Sequence, residues 1–205
     1  MTSCPFDITG LSAEVIDQFY KTWASLSGRF RLEVPGTINF HLDQFEVFKQ
    51  YTGFRVLGTF VIRHLNCDSY VFFIESRTQT MQRGSMSEYL DYHVWGLAYV
   101  KRDFGRVLIR RETLADKIVE LVHPVELDFA EDKPFSNTFY VLVNDHQKAV
   151  NAIDRNFRNA VMDVRVDDFA IEVLGHTLII GDRRPVSPEK AVHLAEFVTR
   201  LSSMC

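Results

Sequence analysis

The sequence predicts an α+β fold: an antiparallel, aromatic-rich sheet with helices at the N-terminus, after a strand meander, and at the C-terminus. Three observations carry this. From Phe54 onward, segments rich in β-branched and aromatic residues are separated by short breaks, as in strands that pair antiparallel with their neighbours. Strand-like and helix-like stretches do not alternate regularly, which argues against a parallel α/β sheet. Phenylalanine occurs 17 times in 205 residues, a usage that favours sheet packing over a leucine-rich bundle.

The elements follow in order. Ser12 is placed to cap a first helix in which Val15, Ile16, Phe19, Trp23 and Leu26 recur at helical spacing, with Gly28 as its stop. Pro35-Gly36 marks a turn. LDQFEVFKQYT then reads as a short helix with Leu42, Phe45 and Phe48 inward, the alternative being the start of a strand. FRVLGTFVIRHL, SYVFFIESRTQT, SEYLDYHVWGLAYVK and GRVLIRRE read as successive strands. Their breaks at Asn66-Cys67-Asp68, Gln82-Arg83-Gly84-Ser85 and Asp103-Phe104-Gly105 supply turn chemistry. The polar stretch from Ser76 to Ser87 implies that the second hairpin projects into solvent.

TLADKIVELV reads as a helix with Leu114, Ile118, Leu121 and Val122 on one side, ended by Pro124. TFYVLV is a buried strand. HQKAVNAIDRNFRNAVM is a helix with Ala149, Ala152, Ile153, Phe157, Ala160 and Val161 inward. FAIEVLGHTLIIG is a hairpin whose Gly175 suits the first position of a type II′ turn. Ser187 is expected to supply the N-cap oxygen of the last helix, with Pro188 at its first position and a stripe of Ala191, Leu194, Ala195, Val198 and Leu201. The chain reads as one domain, 1–205. The alternative division is 1–111, a helix plus the meander, and 112–205, helix-strand-helix-hairpin-helix.

Composition narrows the function. Apolar residues make up 46% and charged residues 24%, an ordinary soluble balance. A formal net charge of −4 gives no global basic field, so no nucleic-acid partner is expected. No apolar run reaches the roughly 18 residues of a transmembrane helix, and the N-terminus lacks the features of a signal peptide. Together these imply a cytoplasmic protein. Cys4, Cys67 and Cys205 are far apart and form no CxxC pair, so neither a structural zinc site nor a disulfide framework is expected.

Few residues look placed for chemistry. Asn144, Asp145 and His146 stand where a strand becomes a helix. They read as an N-terminal cap, with Gln147 as a capping-box partner, or as an Asp–His general base without an accompanying nucleophile. Asp91 and His93 share a face of one strand, and Glu75 is expected on its neighbour; such a trio would suit acid–base or metal chemistry. Tyr89, Trp95 and Tyr99 lie on the same face as Asp91 and His93 and read instead as an aromatic contact surface. Lys101, Arg102, Arg106, Arg110 and Arg111, with Arg183 and Arg184, would meet an anionic group or simply solvate and protect a sheet edge. The histidines form no HxxxH, HxH or HExxH pattern, and no glycine-rich phosphate loop is present, so neither metal nor cofactor is expected.

The aromatic segment carrying Phe135, Phe139, Val141 and Asp145, the helix after it and the hairpin IEVLGHTLIIG resemble a bacterial family known only as a domain of unknown function. The resemblance covers residues 54–181. It implies an α+β fold without implying catalytic residues. Members of that family often carry transmembrane helices ahead of this region, which this chain lacks. The sequence therefore points first to a non-catalytic binding or scaffolding module, with a protein partner or small ligand, and leaves association with a membrane surface open. Its rivals are a hydrolase using Asp91, His93 and Glu75, and a binder of small anions using Arg106 and Arg110.

Overall fold

The computed structural model describes residues 5–36, 38–82, 85–111, 125–182 and 184–204. Its frame is a nine-stranded antiparallel sheet in the order β1-β2-β3-β4-β9-β8-β5-β7-β6. The strands are β1 (Leu32–Glu33), β2 (Gly53–Ile62), β3 (Ser69–Gln82), β4 (Ser85–Tyr99), β5 (Arg106–Arg111), β6 (Val125–Glu126), β7 (Phe139–Val143), β8 (Ala170–Leu174) and β9 (Thr177–Gly181). Aromatic and β-branched side chains alternate across the pleat, so both faces are apolar and both are covered.

On one face lie α1 (Ala13–Arg29), α3 (Lys133–Ser136), α4 (His146–Ala152), α5 (Arg155–Asp163) and α6 (Pro188–Ser203). Phe19 and Leu26 of α1, Phe157 and Val161 of α5, and Leu194, Val198 and Leu201 of α6 pack on Val71, Phe73, Val107, Ile109 and Val173 of the sheet. The expected stripe of α6 is buried throughout. On the other face a strap, residues 38–52, crosses the sheet. It holds a 3-10 turn (Leu42–Gln44) and the one-turn helix α2 (Glu46–Lys49), and it buries Leu42, Phe45, Val47 and Phe48 against Val61, Phe72, Ile74 and Trp95.

Several sequence expectations need correction. The meander ends at β4. Instead of β5, the β8–β9 hairpin lies beside β4, and β5 pairs with β7 and β8. Turn chemistry around Gly105 fixes where a strand ends, and it does not fix which strand comes next to it. The helix expected from His146 to Met162 is two helices, because Asp154 caps α5 by accepting from Phe157 N–H at 2.9 Å. Ser187 stands at the N-cap of α6, yet its side chain makes no cap bond. Cys67 is disulfide-bonded, although neither its spacing nor its composition signalled it; the other two cysteines lie outside the described residues. Sequence separation carries no information about which cysteines meet through space. The helix expected over residues 113–122 also lies outside the described residues. At the β8–β9 turn, Gly175 has φ +59 and His176 has no positive φ, as a type II′ turn requires.

Candidate functional site

The predicted acid–base trio does not assemble. Glu75 is paired across the sheet with Tyr92 and Arg55, and Tyr92 packs into the helix-covered face. His93 lies opposite Ile74, whose neighbours are the strap residues on the other face. A strand's side chains alternate, so residues at odd and even register positions are separated by the thickness of the sheet. Glu75 is buried and held by Arg55 at 3.2 Å and Arg77 at 3.5 Å. Asp91 is exposed.

His93 has a different partner, which sequence spacing could not supply. Its Nε2 is 2.9 Å from Ser76 Oγ, and its Nδ1 is 3.3 Å from the Arg184 carbonyl. A carbonyl only accepts, so Nδ1 carries the proton and Ser76 donates to Nε2. Burial pushes the imidazole below its ordinary value, opposed chiefly by the Arg184 carbonyl. The arrangement matches that of a serine and its base. Both side chains are sealed, however, with Ser76 at 0% and His93 at 1% exposure, and Tyr51 lies over the imidazole at 5.9 Å between ring centroids.

Asn144, Asp145 and His146 resolve as structure. Asp145 caps α4 by accepting from Lys148 N–H at 3.0 Å, and Asn144 accepts from Arg106 N–H at 2.7 Å. Gln147 bonds forward to Asn151 rather than back to Asn144, so the capping box does not form.

The arginines disperse. Arg106 turns under the strap, donating to Glu46 at 2.7 Å, Glu172 at 3.2 Å and the Gln44 carbonyl at 3.1 Å. Arg110 lies over the Tyr140 ring at 5.3 Å. Arg102 reaches Asp154, while Arg111 and Arg184 converge on Asp168. Glu172 is the acid that sequence reading missed. It is wholly buried on the strap face and accepts from Val47 N–H at 3.0 Å. Burial raises its carboxyl above the ordinary range, with the N–H groups of Glu46 and Val47 and the Arg106 charge pulling it back. A lone acid inside the apolar run AIEVL was the available signal, because a charge there needs a partner.

Of the proposed aromatic surface, Tyr89 and Tyr99 are exposed, at 47% and 37%. Trp95 is not part of it. It is 1% exposed and packs on Phe48 of the strap at 4.8 Å. What the strap leaves open is a groove of about 440 Å³ beside β2, lined by Val34, Ile38, Phe40, His41, Phe54, Val56 and Phe72 among others. Its floor is aromatic: Phe40 meets Phe72 edge-on at 4.9 Å and Tyr70 at 4.7 Å. Val34, Ile38 and Val56 stand exposed at its rim. His41 sits at its lip with φ 49 and ψ 44, the left-handed region that non-glycine residues enter at a cost, its N–H held by Asn39 Oδ1 at 3.0 Å. Among the described residues no group of three or more His, Cys, Asp or Glu is placed to hold a metal ion. No helix among them is long and apolar enough to cross a membrane.

No family model and no curated protein matches the chain, so the likeness to a bacterial family has no match behind it. The fold is similar to that in the crystal structure of the mycobacterial trehalose monomycolate transport factor A, TtfA. The TM-score is 0.58 over 94% of this chain and 95% of that one, at 8% identity. At that identity the likeness is one of fold.

Proposed function

We propose that the chain is a non-catalytic binding module that takes an apolar portion of its ligand into the groove between the strap and β2. The observation that carries this reading is a contrast. Glu75, Glu172, Ser76 and His93 are buried and satisfied, Glu75 by Arg55 and Arg77, Glu172 by Arg106, and Ser76 and His93 by each other, whereas the groove is open, aromatic-floored and rimmed by exposed Val34, Ile38 and Val56. Ligand sites are concave and mostly apolar with a few polar groups, here Asn39, His41 and Asp43. The structural neighbour is a trehalose monomycolate transport factor. That supports an accessory or carrier role and leaves the cargo to experiment. A disulfide at Cys67 favours an oxidising compartment over the cytoplasmic location that the sequence implied.

Dodecyl maltoside below its critical micelle concentration is a suitable first probe, since it joins an alkyl chain to a sugar head. Calorimetric titration is expected to give saturable binding that Val56→Glu weakens by about tenfold or more, the penalty for placing a charge against an apolar ligand. Equal binding by wild type and Val56→Glu would move the site elsewhere. Turnover of an ester substrate that His93→Gln abolishes would overturn the non-catalytic reading.

A further inference from the structure

The β3–β4 hairpin outruns its neighbours. β2 pairs with β3 only as far as Arg77, and β9 pairs with β4 only from Trp95 to Tyr99. Residues 78–82 and 85–91 therefore form a two-stranded ribbon beyond the sheet. Two hydrogen bonds fix which main-chain groups of β4 face the β9 side. The Tyr92 carbonyl accepts from Val186 N–H at 3.1 Å, and Val100 N–H donates to the His176 carbonyl at 2.8 Å. With a strand period of two, Met86, Glu88 and Leu90 turn their N–H and C=O groups to that same side. No hydrogen bond to these groups occurs among the described residues. Among the described residues the strand position is filled by β9 and by Val186, and none of them occupies it beside residues 85–91.

Exposed edges are normally blunted by charged residues, lysine above all, by proline or by a bulge. SMSEYLD has no lysine and no proline, its charges are Glu88 and Asp91 alone, and the β3–β4 register runs without a shift. Met86 and Leu90 are exposed on one face at 64% and 46%, with Glu88 between them and Met81 across from Met86. Glu88 makes no ion pair among the described residues, whereas most acids of the body are paired. We propose that residues 85–91 of β4 are a docking edge for an extended segment of a partner protein, added as a further strand with a basic residue opposite Glu88 and apolar residues two positions to either side.

A second copy of this chain fits less well. The symmetric antiparallel register that covers residues 85–91 puts Glu88 opposite its own copy, and like charges directly opposite are destabilising. Moving the register toward Tyr92 runs into Val186, which already occupies that carbonyl. A basic segment meets Glu88 with opposite charge, its flanking apolar side chains meet Met86 and Leu90, and main-chain bonds supply the rest. This edge goes beyond the groove reading, and either stands if the other fails.

The test uses the full chain, isotope-labelled, and a capped peptide with the core valine-threonine-lysine-threonine-valine. Saturable amide shifts are expected at Met86, Glu88 and Leu90. The same peptide with a central glutamate is expected to bind about tenfold more weakly, from the sum of one lost and one opposed cross-strand charge contact. Glu88→Lys should invert that preference. Met86→Pro should abolish binding of both peptides, since proline is tolerated where the N–H faces outward, and its unfolding midpoint controls for folding. Shifts that map elsewhere, equal binding of the two peptides by wild type, or no binding at all would overturn the proposal. So would a wild-type dimer in sedimentation that Met86→Pro converts to monomer, because a second copy would then be the occupant.

Discussion

Gly181→Ala tests how tightly the strap is seated on the sheet. Gly181 of β9 lies beside Trp95 of β4, and a methyl group there would stand 2.2, 2.4 and 2.6 Å from three atoms of the indole, where ordinary contact is 3.4–4 Å. The obstacle is a rigid ring, so the whole indole must move by about an ångström or more. It has little room: Trp95 is 1% exposed, Phe48 is 4.8 Å away, and Phe48 in turn stacks on Phe54 at 4.9 Å. Overpacking of this kind costs ~1–3 kcal/mol, here toward the upper end. The restricted unfolded chain of alanine returns ~0.4–1 kcal/mol. The net destabilisation is about 2 kcal/mol, or roughly 4–8 °C in Tm for a chain of this size. Urea and thermal unfolding measure it, and near-UV circular dichroism reports the displaced indole. Trp95→Leu should cost less in the Gly181→Ala background than alone, because it vacates the contested space. An unchanged midpoint, or strictly additive effects in the double variant, would refute the packing argument.

Three further outcomes follow. Asp145→Ala should lower stability by ~0.5–2 kcal/mol through loss of the α4 cap, with no effect on dodecyl maltoside binding; an unaltered midpoint would remove the capping role. Arg106→Met leaves Glu172 buried without its cation, while Glu46 keeps Lys49, and should cost about 3–5 kcal/mol, much of it recovered when Glu172→Leu is added. Burial holds His93 below the ordinary value of a histidine, so the unfolded chain takes up the proton first as pH falls. Its contribution is therefore present above about pH 6.5 and lost below it, at up to ~1.4 kcal/mol per pH unit. Glu172 has the opposite sign, since its raised value makes its contribution present in acid and lost as pH rises through the folded value. His93→Gln should flatten the loss of stability as pH falls below about 6.5; an unchanged slope there would show that another group is responsible.

Much of the fold was legible because local patterns determine it. Ser12, Asp145 and the stripe of α6 sit where capping and helical periodicity place them, and Gly175 turns its hairpin as its type requires. Strand order was not legible, since the insertion of β8–β9 between β4 and β5 is a long-range choice written in side-chain complementarity. The single helix drawn through Ile153 failed because its apolar stripe continues across the break, while Asp154 restarts the backbone as a cap. Parity explains the candidate site. Asp91 and His93 were correctly placed on one face, but assigning Glu75 to that face needed the cross-strand register, which turn length alone does not give. Trp95 could not be told from Tyr89 or Tyr99 by period, because all three share a face and only the strap decides which is covered. The groove has no motif at all. Its residues come from Pro5, the segment after β1, β2 and β3, and only folding brings them together.

The central claim is that function resides in the open groove and not in the buried polar pairs. Amide and methyl chemical shifts of the labelled full chain, followed while dodecyl maltoside is added below its critical micelle concentration, test it most directly. The account predicts saturable changes at Val34, Ile38, Phe40, Val56 and Phe72, with Ser76, His93 and Glu172 unmoved. Changes centred on Ser76 and His93, or none at the groove, would contradict it.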